Sequence, residues 1–235
     1  MTTTTAPLVT VDTVSRRFRL GTNVVDALVE VSARINSGEV TVIAGPSGSG
    51  KTTLLTILAG HETKDSGVIA VHPPMPPGAP IERLNWGYVG YVPQIPALLD
   101  ELTVAENIEL PARLAKRRFR RRDRNSTGGW ATSEIMARLE IDHLADRFPS
   151  QTSGGEQQRT AIARALRLLP PLIIADEPTG HQDRARVRIV LDTMKEYART
   201  GRAVVIASHD DDVLAAADTL IRMQDGRLHT EWVHA

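Results

Sequence analysis

Three short β-branched runs organise the hydrophobic pattern of this chain: Val-Thr-Val-Ile-Ala at 40–44, Leu-Ile-Ile-Ala at 172–175 and Ala-Val-Val-Ile-Ala at 203–207. None alternates between apolar and polar positions. Strands of this kind are covered on both faces, as in a parallel sheet held between helices. Each run breaks into a polar or glycine-rich turn: Gly45-Pro46-Ser47, Asp176-Glu177-Pro178 and Ser208-His209-Asp210. In doubly wound α/β sheets ligands collect at the carboxyl ends of the strands, so the three turns are expected along one edge of one sheet.

Helical spacing fills 51–59 and 154–169, the second stretch stopping at Pro170-Pro171. Residues 72–80, His-Pro-Pro-Met-Pro-Pro-Gly-Ala-Pro, suit neither helix nor central strand and predict a rigid surface loop. Residues 1–7 are threonine-rich and read as a loose tail. Residues 113–124 hold eight basic side chains and one acid, followed by Gly128-Gly129 and a second helical pattern at 133–140. This predicts a helical hairpin inserted into the α/β core.

Composition narrows the classes. The 235 residues carry 28 basic and 28 acidic side chains and no cysteine. The absence of cysteine excludes a disulfide scaffold and Cys-ligated zinc, and fits a cytosolic setting. No apolar run is long enough to span a bilayer, and the first residues lack the pattern of a signal peptide. Zero net charge argues against nucleic acid as a default partner. The zero is a cancellation: without residues 113–124 the chain has 20 basic and 27 acidic residues, a net of −7. The basic block reads either as a solvated helix face or as a contact for anionic lipid or acidic loops of a membrane partner. Its single aromatic, Phe119, is too little for a base-stacking platform.

The chemistry sits in the turns. Gly45-Pro46-Ser47-Gly48-Ser49-Gly50-Lys51-Thr52 matches the phosphate-binding pattern G-x-x-x-x-G-K-[ST], with a strand before it and a helix after. Its glycines let successive N–H groups point at phosphate oxygens, and the helix adds its positive end. Lys51 can reach the β- and γ-phosphates and the Thr52 hydroxyl can ligate Mg²⁺. The strand ending in Asp176-Glu177 offers one carboxylate for Mg²⁺ and a second to orient and polarise an attacking water. Phosphoryl transfer needs little beyond such positioning and charge neutralisation. Ser153-Gly154-Gly155-Glu156 opens a helix. As a pure S-x-x-E capping box it needs no glycines, and each costs about 1 kcal/mol against alanine there. The pair makes sense where an anion comes close to the positive helix end, namely a γ-phosphate held by a second subunit.

The phosphate loop, Ser153-Gly154-Gly155-Glu156-Gln157-Gln158-Arg159, Asp176-Glu177-Pro178-Thr179 and His209 stand in the order of an ATP-binding cassette (ABC) ATPase. The chain resembles that family over residues 8–228, and most of all its lipoprotein-release and macrolide-export branch. The resemblance implies an α/β P-loop NTPase fold. A single domain would cover 8–230, with a helical subdomain inserted at about 96–165 and an antiparallel β region near the N-terminus. It implies nucleotide on residues Gly45, Pro46, Ser47, Gly48, Ser49, Gly50, Lys51, Thr52 and Thr53, with Phe18 stacked on adenine. Mg²⁺ would be held by Thr52, Asp176 and Gln94. Glu177 resembles the catalytic glutamate, and His209 the histidine on the γ-phosphate. Gln94 resembles the glutamine that senses metal and water and links to the transmembrane partner. Ser153, Gly154, Gly155 and Asp183 would act across a homodimer. Two positions depart from the pattern: Thr152, where leucine is usual, and Gln182, where leucine usually precedes the aspartate. Gln182 is expected to weaken packing across the dimer.

The expected function is therefore an Mg²⁺-dependent ATPase subunit on the inner face of the cell membrane, driving a separate transmembrane permease. A mechanical signalling ATPase on a membrane protein that moves no substrate is the alternative. A soluble ABC protein acting on DNA or ribosomes fits poorly, because such proteins usually carry long coiled coils or two cassettes.

Overall fold

A computed structural model describes residues 7–118, 130–180 and 182–233. The three apolar runs are strands β3 (Val40–Ala44), β6 (Leu172–Asp176) and β7 (Ala203–Ala207), and every residue in them is buried. With β5 (Val89–Val92), β8 (Thr219–Gln224) and β9 (Arg227–Val233) they form a six-stranded sheet in the order β5-β6-β7-β3-β8-β9. All its pairings are parallel except that of β8 with β9. Strands β1 (Pro7–Leu20), β2 (Asn23–Asn36) and β4 (Ser66–Val71) make a separate antiparallel sheet, ordered β2-β1-β4. Both the α/β core and the N-terminal antiparallel region expected from the sequence are present.

Successive residues of the central strands enter two different cores. Val40, Val42, Ile173, Ala175, Val204 and Ile206 face a helical layer. That layer is built from α2 (Val104–Arg118), α3 (Thr132–Arg138), α4 (Gly154–Leu166) and α5 (Arg184–Arg199). Ile43, Leu172, Ile174, Val205 and Ala207 face the other way, onto α1 (Lys51–Leu58) and the antiparallel sheet. The missing alternation is thus the record of two hydrophobic faces. A short helix, α6 (Asp211–Leu214), leads into β8.

Some boundaries differ from expectation. Helix α4 stops at Leu166 rather than 169, because Leu169 takes a left-handed φ of 48° ahead of Pro170. A residue before proline is disfavoured in the helical region, so the turn precedes the prolines. Residues 72–80 form no regular element, but they are not wholly surface, since Met75 is buried in the core beside Ile81. Pro7 belongs to β1, while the rest of the expected tail lies outside the described residues. So do residues 119–129 and the side chains of Lys116, Arg117 and Arg118, hence most of the basic block.

Gly90 marks a tight seam between β5 and α4. A Cβ there would stand 2.6 Å from the Ala165 carbonyl oxygen and 2.6 Å from Ile173 Cδ1. Gly90→Ala is therefore expected to destabilise the fold by about 2 kcal/mol, as overpacking does. Urea unfolding with an unchanged m-value checks this; an unchanged midpoint would show that α4 can move away from β5 at little cost.

Candidate nucleotide site

The carboxyl edge of the parallel sheet gathers the expected chemistry. Between β3 and α1 the chain turns through Gly45 to Gly50, where Gly45 and Gly50 are enforced by their neighbours. A Cβ on Gly45 would lie 2.1 Å from the Met223 carbonyl oxygen. Gly50 has φ 101°, and a Cβ there would lie 2.3 Å from the Ala27 carbonyl oxygen. Gly48 has φ 81° but no atom within 4 Å of an added Cβ, so its glycine serves the backbone and leaves open space above the loop. Pro46, Ser47 and Gly48 are exposed, Thr53 is half-buried, and the buried Ser49 hydroxyl has no hydrogen-bond partner.

Lys51, at the start of α1, is mostly buried. Its ammonium donates to the carbonyls of Gly45 (2.8 Å) and Pro46 (3.0 Å). An ammonium has three donors, so one remains for a further acceptor. The Thr52 hydroxyl donates to Asp176 Oδ2 at 2.8 Å, which ties α1 to the end of β6. Burial pushes the Asp176 carboxyl above its usual range, against the stabilising bond from Thr52. Burial and the charge of Asp176 push the Tyr91 phenol up to about 12. A hydroxyl beside a buried carboxylate is a hard oxygen pair suited to Mg²⁺, which keeps several waters and phosphate oxygens of its own. Among the described residues no group of three or more acidic, His or Cys side chains forms a full metal cage.

Glu177 follows Asp176 with a left-handed φ of 46°, and its amide donates to the Ala207 carbonyl. Non-glycine residues rarely take this conformation, and such strain gathers at working sites. Its carboxylate is held on both oxygens: His209 Nδ1 lies 2.8 Å from Oε1, and the Ser208 hydroxyl donates to Oε2 at 3.0 Å. The His209 ring is 79% exposed while Glu177 is 17% exposed, so the pair spans the surface of the edge. Ser208 is fully buried and also accepts the Asp210 amide. Gln94 is exposed just beyond β5. Val92, two residues before Gln94, pairs with Ala175, two residues before Glu177.

The glycine pair lies at the start of α4. Ser153 caps the helix: its amide donates to Glu156 Oε2 at 2.7 Å and its hydroxyl accepts the Glu156 amide at 3.4 Å. The bond from the Ser153 amide, with a second from the Ser153 hydroxyl to Oε2 at 2.9 Å, pulls the Glu156 carboxyl below its usual range. An added Cβ on Gly154 would meet nothing within 4 Å, so no packing within this chain demands glycine there. Among the described residues no hydrogen bond joins Ser153, Gly154 or Gly155 to the phosphate loop. Asp183 caps α5 by accepting the Arg186 amide at 3.0 Å and is otherwise exposed.

The two sequence departures are accommodated inside the chain. Gln182 accepts from Arg159 Nη1 (3.1 Å) and donates to the Pro178 carbonyl (3.0 Å), which joins the loop before α5 to α4. The Thr152 hydroxyl donates to the Pro149 carbonyl at 2.8 Å.

Phe18 sits half-buried on β1 opposite Val25. Two residues further along β2, the Ala27 carbonyl touches Gly50, so the phenyl ring and the phosphate loop flank the same stretch of β2. The structure thus brings Lys51, Thr52, Asp176, Glu177 and His209 to one edge, with Gln94 just beyond β5, while Phe18 lies on β1 of the other sheet and Ser153 and Gly154 are exposed. The positions of Ser208 and Arg16, which touch Glu177 and Phe18, were not visible as signals in the sequence.

Known proteins match this arrangement. The MacB macrolide export ATP-binding/permease protein of Burkholderia pseudomallei (strain K96243) is 38% identical over 228 residues, 95% of this chain. The chain spans only about a third of that relative's length (34%). The lipoprotein-releasing system ATP-binding protein LolD of Gluconobacter oxydans (strain 621H) is 34% identical over 91% of this chain and 92% of its own length. Among solved structures, the dimeric post-hydrolysis state of the ATP-binding cassette MJ0796 bound to ADP and Pi superposes with a TM-score of 0.82. It is 30% identical and covers 96% of this chain and 98% of that one. The sequence model described as ABC transporter matches residues 28–180, from the strand beside the phosphate loop to the turn after Glu177. With that match and the relatives' identity over nearly the whole chain, the protein belongs to the ABC transporter family.

Proposed function

We propose that this chain is the ATP-hydrolysing, nucleotide-binding subunit of an ABC transporter, working as a homodimer beneath a separate transmembrane permease. Residues 8–230 act as one ATPase domain, with the helical region at about 96–165 inserted in it. The observation that carries the reading is the Glu177 carboxylate, strained in backbone and gripped by His209 and Ser208, one residue from the Asp176–Thr52 pair.

In this reading the amides from Gly45 to Thr53 cradle the phosphates, and the third donor of Lys51 reaches the β- and γ-oxygens. Phe18 stacks on the base. Thr52, Asp176 and Gln94 would hold Mg²⁺, which would neutralise phosphate charge. Glu177 accepts a hydrogen bond from a water and aims its oxygen at the γ-phosphorus, in line with the departing ADP. His209 donates to the γ-phosphate. The water oxygen bonds to the γ-phosphorus as the bond from phosphorus to the bridging oxygen breaks, one water proton ends on the released phosphate, and ADP and phosphate leave. Ser153, Gly154 and Gly155 donate to the γ-phosphate on the other subunit, a role that suits the open space beside Gly154. Such a dimer is two-fold symmetric.

Support for a membrane partner comes from the relatives, whose names join an ATP-binding part to export or lipoprotein release. It comes also from the apolar side chains Ile95, Leu99 and Phe148, exposed around the segment that links β5 to α2. Among the described residues no helix is long and apolar enough to cross a membrane, so the reading places the chain on the cytoplasmic face of a bilayer its partner spans.

Glu177→Gln is expected to bind ATP, accumulate as a dimer and lose turnover by about 10²-fold or more, the worth of a positioned acid–base group. Gel filtration with ATP and a phosphate-release assay check it, and full turnover would remove Glu177 from the mechanism. Ser153→Arg is expected to abolish turnover yet leave ATP binding to the monomer intact; equal loss of both would mean that the segment serves its own subunit. Ser208→Ala is expected to lower kcat about tenfold with KM for ATP unchanged, the loss of one hydrogen bond to a charged group.

A further inference from the structure

Arg16 is the side chain whose arrangement around Phe18 goes beyond the roles above. Its guanidinium carbon lies 4.7 Å from the centroid of the Phe18 ring, so one face of the ring is covered by a cation. The same guanidinium is fixed from two sides: Nη2 donates to Glu62 Oε1 at 2.9 Å and Nη1 to Asp65 Oδ1 at 2.7 Å. The second Asp65 oxygen accepts the Arg17 amide at 2.7 Å, which pins the strand backbone as well as the side chain. Arg16 is largely buried, and its Nε is buried without a hydrogen-bond partner.

These contacts join two parts of the chain. Glu62 and Asp65 lie in the turn that follows α1, the helix headed by Lys51, and Phe18 lies on β1. A planar guanidinium can hold two carboxylates and a ring face at once, which an ammonium cannot. We propose that Arg16 is a positioning residue for nucleotide binding: it backs one face of Phe18 and ties the ring to the turn after the phosphate-loop helix, so that a nucleotide base stacks on the opposite face. This rests on the reading of Phe18 as the base platform. The chemistry on the base side is π-stacking, so the support acts on any nucleoside triphosphate and not on the phosphates themselves.

The test compares Mg-ATP with inorganic tripolyphosphate, which lacks the base, by calorimetric titration of the whole chain. Arg16→Ala is expected to weaken ATP binding about tenfold and leave tripolyphosphate binding unchanged. In a Phe18→Ala background, Arg16→Ala is expected to add no further loss, since coupled groups are not additive. Arg16→Lys is expected to restore part of the affinity. ATP binding equal to the parent's would overturn the proposal. Equal weakening of ATP and tripolyphosphate would overturn it too, by making Arg16 a support of the loop fold alone. If Phe18→Ala binds ATP as the parent does, the platform reading itself fails and takes the proposal with it, an outcome distinct from the other two. Should Arg16→Ala not fold, Asp65→Asn keeps the arginine and loosens one brace. It is expected to weaken ATP about threefold with tripolyphosphate unchanged, and no change or a loss common to both ligands overturns the proposal.

Discussion

The rest of the structure depends on the burial of β3, β6 and β7 on both faces. Side chains there alternate between two hydrophobic cores, so neither face of the sheet can hold a charge without a large desolvation cost. Charge can enter only where the strands end. Asp176 is the last residue of β6, Glu177 follows it, and Ser208 and His209 follow β7. Parallel pairing of Asp176 with Ala207 then sets Glu177 beside Ser208. The grip on the carboxylate is a consequence of strand register, and register is a consequence of the cores.

The same logic explains what was legible in the sequence. A strand buried on both faces has an unbroken apolar signature, and the phosphate loop has fixed spacing, so the edge and most of its residues could be read directly. The Ser153 cap was legible because its partner Glu156 is three residues away. The support from Ser208 was not, because it joins positions 31 apart through a pairing that no local pattern encodes. Arg16 was hidden likewise, its acids lying 46 and 49 residues on. The C-terminal hairpin was hidden in the sequence, although Asp225-Gly226 turns β8 into β9 with positive φ at both residues (48° and 73°). That pair is a strong hairpin signal, but the mixed polarity of Arg227 to Thr230 masks the strand after it.

Gln182 departs from the family pattern and makes its contacts within its own chain. Expected to face a second subunit and disturb it, its amide is engaged within its own chain by Arg159 and the Pro178 carbonyl. Burial pulls the Arg159 guanidinium below its usual range. A polar acceptor at 182 suits that cation where a leucine would not. The loop carrying Asp183 and the helix carrying the glycine pair are thereby joined by side chains as well as by backbone.

The left-handed backbone at Glu177 has a consequence for how variants of this chain would fare under selection for stability alone. At that φ a glycine or asparagine relieves the strain, and a carboxylate with a full Cβ does not. Unguided improvement of the fold would therefore tend to remove the charged group from the edge. Its presence there marks a position where chemistry and folding pull the residue choice in opposite directions.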